Sequence, residues 1–112
     1  MGRAAVFSLA LGALVTAGAA RTAAQPAAQE LTISNHRFDP AELDVPARQP
    51  VTIHVRNLDP TPEEFDSSAL KVEKVIGGNG EGTIHVHPLA PGRYDFMGEY
   101  HSSTARGVVV AK

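Results

Sequence analysis

Cysteine is absent from this 112-residue chain. That excludes a disulfide framework, so an exported domain of this size has to be held by its hydrophobic core alone. It also excludes any thiolate metal centre or cysteine nucleophile. An excess of positive charge is missing too: 10 Lys and Arg stand against 12 Asp and Glu. A nucleic-acid partner is therefore not expected. No segment carries a long apolar stripe of helical period, no internal repeat is visible, and no Gly-x-Ser-x-Gly elbow marks a serine nucleophile. The glycine-rich run Gly77-Gly78-Asn79-Gly80-Glu81-Gly82 lies between strand patterns with no helix after it to cradle phosphate, so it reads as a hairpin loop. Glu63 and Glu99 as a glycosidase pair would need a carbohydrate cleft that so small a domain seldom provides. An enzyme is not expected.

The chain opens with Arg3, an apolar run from Ala4 to Ala19, and small-residue pairs at Ala17/Ala19, Gly18/Ala20 and Thr22/Ala24. This is the pattern of a secretory signal peptide over residues 1–24, followed by a short linker over 25–29. The mature protein is expected to be periplasmic or secreted. Retention of the leader as a membrane anchor is the alternative, although the run is short for a bilayer span. Losing Arg3 and Arg21 with the leader leaves 8 basic against 12 acidic residues, a net charge of −4. Roughly 85 residues then remain, enough for one small domain and not for two.

From Glu30 onward the pattern alternates with period two, which points to an all-β sandwich or barrel. Leu31, Ile33 and Phe38 are expected to face inward on a first strand, followed by Leu43 and Val45. Val51, Ile53, Val55 and Leu58 mark the next strand, with Thr52, His54 and Arg56 on its other face. Asn57-Leu58-Asp59-Pro60-Thr61-Pro62 then interrupts regular pairing. Leu70, Val72, Val75 and Ile76, then Ile84, Val86 and Leu89, then Tyr94 and Phe96 give further strands before a loop carrying His101 and a closing Gly107-Val108-Val109-Val110.

That last strand–loop–strand resembles the copper-binding loop of cupredoxins, in which Cys, His and Met sit between the final two strands. Leu31-Thr32-Ile33-Ser34-Asn35-His36-Arg37-Phe38-Asp39-Pro40-Ala41-Glu42-Leu43-Asp44-Val45-Pro46 and Val51-Thr52-Ile53-His54-Val55-Arg56-Asn57 are similar to the opening of such domains. More narrowly, Thr61 to Ser67, Val72 to Ile76 and Phe96-Met97-Gly98-Glu99-Tyr100-His101 resemble the EfeO-type cupredoxin-like family of exported bacterial proteins associated with iron uptake. The resemblance covers residues 30–112. It implies a Greek-key β-sandwich of about seven or eight strands.

Carrying the blue-copper ligands over, only His101 matches. Gly98 stands in the cysteine position three residues before it, Arg106 in the methionine position five residues after it, and Glu63 in the first histidine position, six residues after Asn57. Type 1 copper needs a thiolate in a trigonal field, and Met97 is the single sulfur near the loop, with core packing as its expected role. Harder ligands are present at the same end. Glu63 or Glu64, Glu99 and His101 suit iron, copper(II) or another divalent ion. Glu63 and Glu64 alternate, so one turns inward and the other outward, while Glu99 and His101 point the same way if their segment is extended. The alternative is a structural cluster in which these acids pair with Lys71, Lys74 or Arg106. His54, His85 and His87 form a separate, weaker candidate set on neighbouring strands. The expected function is exported metal binding in iron or copper uptake or homeostasis, in company with a membrane iron permease or another exported metal-handling protein. The alternative is a metal-free periplasmic interaction module on a cupredoxin scaffold.

Overall fold

A computed structural model describes residues 26–112 and, before them, residues 2, 4, 5, 12 and 13. Apart from those five positions the leader expected over residues 1–24 lies outside the described residues. Among the described residues no helix is long and apolar enough to cross a membrane.

The chain is all-β. In order it forms β1 (Ala27–Ser34), β2 (Arg37–Asp39), β3 (Glu42–Val45), β4 (Val51–Asn57), β5 (Glu63–Ser67), β6 (Val72–Ile76), β7 (Glu81–Val86), β8 (Gly92–Gly98) and β9 (Arg106–Ala111), with one 3-10 turn at Glu99–His101. Two sheets face each other, one in the order β2-β1-β4-β7 and the other β3-β9-β8-β5-β6. Parallel pairing of β1 with β4 and of β3 with β9 marks the crossovers.

Alternation explains the core. Leu31 and Ile33 of β1, Val51, Ile53 and Val55 of β4, Phe65 of β5, Ile84 and Val86 of β7, and Phe96 of β8 are all buried between the sheets. Several expectations need correction. The stretch expected as one first strand is a hairpin. Ser34 pairs with Arg37, leaving Asn35 and His36 as a two-residue turn, both at positive φ, 53° and 57°. Nor is 25–29 a linker throughout, since Ala27, Ala28 and Gln29 pair with Val51, Thr52 and Ile53. Leu58 is 55% exposed because Asn57, not Leu58, holds the inward position of β4. Val75 is exposed for the same reason of parity, lying opposite Glu64 on the outer face while Ile76 and Glu63 face in. The glycine run is not a hairpin loop. It carries the chain from β6 in one sheet to β7 in the other.

That crossover is fastened to the end of β4. Asn57, 1% exposed, donates from Nδ2 to the carbonyls of Thr61, Ile76 and Gly77, and its Oδ1 accepts the Asp59 amide. A Cβ on Gly78 would stand 2.0 Å from the Pro60 carbonyl oxygen, so the backbones approach too closely for any side chain there. These contacts set the start of β5 and place Glu63 at the loop end of the sandwich.

Candidate metal centre

Glu63 is the first residue of β5 and takes an inward position, with its residue only 1% exposed. Its carboxylate meets three donors. Oε1 accepts the amides of Tyr100 at 3.0 Å and of Glu64 at 3.1 Å, and Oε2 accepts from Nδ1 of His101. A carboxylate so engaged is satisfied despite its burial.

Gly98 makes the arrangement possible. A Cβ built there would lie 2.6 Å from Glu63 Cδ and 2.7 Å from both Glu63 Oε1 and Ala105 Cβ. The residue in the cysteine position is thus small because the Glu63 carboxylate fills the space in front of it.

His101 closes the 3-10 turn, and its carbonyl accepts the amides of Thr104 and Ala105 at 3.0 and 2.8 Å. Its ring stacks on His36, centroids 3.5 Å apart and planes 10° from parallel. Thr104 Oγ1 donates to the His36 carbonyl at 2.6 Å. Asp59 accepts the amides of Asn35 at 2.8 Å and His36 at 3.0 Å. These bonds, that of His36 foremost, hold its carboxyl below the usual range, with the charges of His36 and His101 adding to the effect.

The remaining acids lie outside. The turn at Glu99–His101 breaks the extended geometry in which Glu99 and His101 would share a direction. Glu99 instead joins Glu64 and Glu73: one carboxylate oxygen from each of the three lies within 4.8 Å of the other two. Outward parity brings Glu64 of β5 and Glu73 of β6 together as diagonal neighbours, since Glu64 pairs with Val75 and Asp66 with Glu73. Loss of hydration raises the Glu64 carboxyl above its ordinary value, with further contributions from its bond to Glu73 and the charge of Glu99. The Tyr100 hydroxyl is raised too, by loss of hydration and then by Glu64.

The four residues singled out at this end therefore divide into two pairs, Glu63 with His101 inside and Glu64 with Glu99 at the rim. Sequence reasoning missed Glu73, which strand pairing alone brings in, and His36, which an Asn-His turn between two short strands would have flagged. Arg106 pairs with neither Glu63 nor Glu99. It is exposed and donates from Nε to the Ser102 carbonyl at 2.7 Å. Lys74 reaches the Thr83 carbonyl instead of an acid. Met97 is not a core residue: Phe96 and Gly98 face inward, so Met97 turns to the outer side of its sheet, half-buried beside Asp66, Asp95 and Arg106.

Among the described residues the second histidine set does not assemble. Its members form no group of three candidate ligands: the register makes His54 and His85 diagonal neighbours, with His54 opposite Thr83 and His85 opposite Thr52, while His87 follows the end of β7. His54 is occupied by carboxylates, with Nδ1 2.9 Å from Glu30 and Nε2 3.4 Å from Glu81. The bond to Glu30, reinforced by Glu81, raises its pKa.

Two facing sheets with parallel β1·β4 and β3·β9 pairs, closed by a histidine loop between the last two strands, define a cupredoxin-type sandwich. The chain belongs to the cupredoxin-like domain family, whose sequence profile matches residues 5–111. An uncharacterised protein of Rickettsia prowazekii is 35% identical over 81 residues, covering 72% of this chain; the match spans 65% of that protein's length. Auracyanin A, a "blue" copper protein of Chloroflexus aurantiacus, superposes with a TM-score of 0.65 at 19% identity over 79% of this chain and all of its own. The metal-binding domain of the Streptococcus pneumoniae Cu(I)-exporting P-type ATPase, with Cu(I), does so at 0.64 and 18% identity, over 76% of this chain and 84% of its own. An oxidised amicyanin variant gives 0.60 at 18% identity, over 75% and 81%. These structures share the fold.

The residues present do not fit a thiolate copper centre. No sulfur lies at the Gly98 position, the Glu63 carboxylate occupies the volume before it, and Met97 points away.

Proposed function

We propose that this is an exported cupredoxin-like protein of the EfeO type that binds a hard metal ion at the loop end of the sandwich and serves iron or copper uptake or homeostasis. The observation that carries this reading is the convergence of Glu64, Glu73 and Glu99 within 4.8 Å. Three carboxylates suit iron or copper(II) far better than copper(I). Packed together, with Glu64 half-buried and Glu73 and Glu99 exposed, they repel one another, and a cation between them relieves that repulsion. A membrane iron permease or another exported metal-handling protein is the partner such a role requires, and a periplasmic or secreted location is what the leader supports. The rival reading, a metal-free interaction module, draws on the Glu63–His101 pair, which closes the old ligand position without an ion.

Calorimetry under anaerobic conditions with Fe(II), Cu(II) and Zn(II) separates the two. Binding at micromolar Kd or tighter, about −8 kcal/mol, is expected, with Glu64→Gln and Glu99→Gln each weakening it by about tenfold or more while the fold is unchanged. Wild-type protein that takes up none of these ions, or variants that bind as well as wild type, would leave the interaction module as the reading.

A further inference from the structure

We infer that Glu63 is a positioning residue for the rim carboxylates, not a ligand: its buried carboxylate ties together the two backbone segments that carry Glu64 and Glu99. This rests on Glu64, Glu73 and Glu99 being the metal's donors, and it goes further by assigning the inner pair a different role.

The connectivity is specific. One oxygen, Oε1, receives both the Glu64 amide from β5 and the Tyr100 amide from the 3-10 turn, at 3.1 and 3.0 Å. The first belongs to a rim acid, and the second immediately follows one. The other oxygen holds His101 at the far end of the same turn. The turn is thus gripped at two of its three residues by a single side chain rooted in the neighbouring strand. Glu63 itself cannot serve a solvent-side ion, since its side chain is 2% exposed and its oxygens are taken by the Glu64 and Tyr100 amides and by His101. Gly98 leaves it room, and the His36 ring backs His101 from the other side. An outer partner that fixes ligand geometry commonly contributes tenfold to a hundredfold in metal affinity, about what such a brace would supply.

The role separates from coordination by experiment. Glu63→Gln keeps an oxygen for both amides and presents its side-chain NH2 to His101 Nδ1, a contact the ring makes as acceptor with its proton on Nε2, whereas Glu63→Ala keeps neither. Using Cu(II) and Fe(II) as probes, Glu63→Gln is expected to bind within about threefold of wild type, and Glu63→Ala to lose roughly tenfold to a hundredfold. Pulsed electron paramagnetic resonance of the Cu(II)-loaded wild type is expected to show no coupling to an imidazole nitrogen. If Glu63→Gln weakens binding as much as Glu64→Gln, or an imidazole nitrogen couples to Cu(II), the inner pair is coordinating and the inference fails. It also fails if Glu63→Ala binds like wild type while Glu64→Gln does not, a result that leaves the rim site standing. Should Glu63→Ala not fold, the Glu63→Gln affinity and the wild-type spectrum still decide. Absence of binding by the wild type overturns the rim site and the brace together.

Discussion

At Gly98 a methyl group has no free space, with Glu63 Cδ 2.6 Å and Ala105 Cβ 2.7 Å from the Cβ it would add. Gly98→Ala is therefore expected to destabilise the protein by about 1–3 kcal/mol, as overpacking does. On a Glu63→Ala background, which removes the nearer obstacle, the same substitution should cost less. Urea melts of the four proteins of this cycle measure the coupling. Equal costs on both backgrounds would mean that Glu63 is not what keeps the position small. This residue-scale logic was half visible beforehand. Alternation alone requires Glu63 and Glu64 to face opposite ways, but which of them turns in depends on the register of β5 against β8, where Phe65 pairs with Gly98. Gly98 itself read as a lost ligand, when its size has a positive cause in the side chain packed against it.

At the scale of elements, the β1–β2 hairpin is secured by a residue from a different loop. Asp59 accepts both turn amides, so its carboxyl is depressed in the folded protein and relaxes to its ordinary value in the unfolded chain. The unfolded state then binds the proton more readily. The stabilisation is fully present above the ordinary Asp value of about 3.9 and is lost as pH falls through the lower native one. Wild type is expected to exceed Asp59→Asn in stability by on the order of 1 kcal/mol near neutrality, one acceptor of two being lost, with the gap closing in acid below about pH 4. Thermal melts of both proteins down the pH scale test this, and a gap that persists undiminished in acid would remove Asp59 as its origin. The hairpin left a trace in the chain order, because Phe38 falls out of step with Leu31 and Ile33 on a single strand of period two, but its clamp did not, since nothing local brings Asp59 to Asn35 and His36. The crossover at Gly77–Gly80 also misled. Glycines mark a change of direction, and the distinction between a hairpin and a passage to the opposite sheet lies in how β6 and β7 pair.

The whole molecule depends on one core with no covalent reinforcement. Phe38 comes from one sheet and Phe65 and Phe96 from the other. Phe65 stacks on Phe96 at 4.8 Å, and Phe38 meets both edge-on at 6.0 and 5.0 Å. Phe65→Ala should cost about 3–5 kcal/mol, a large share of the roughly 5–15 kcal/mol that holds a domain together. One cooperative transition moved to lower urea is expected. A two-step transition would show that the sheets unfold separately. What residue order and composition determined unaided was the β class, the inward apolar residues of β1, β3, β7 and β8 and the impossibility of a thiolate copper site, all consequences of local alternation or of a residue type that is missing. Only the tertiary structure decided that His101 meets Glu63 and not a metal-ready Glu99, that Glu73 completes the rim with Glu64 and Glu99, that His36 stacks on His101, and that Arg106 bonds to Ser102. The first three join residues from separate strands and turns, where strand register and one 3-10 turn set side-chain direction; the last is local, but the path of the loop backbone sets it. No sequence period encodes either.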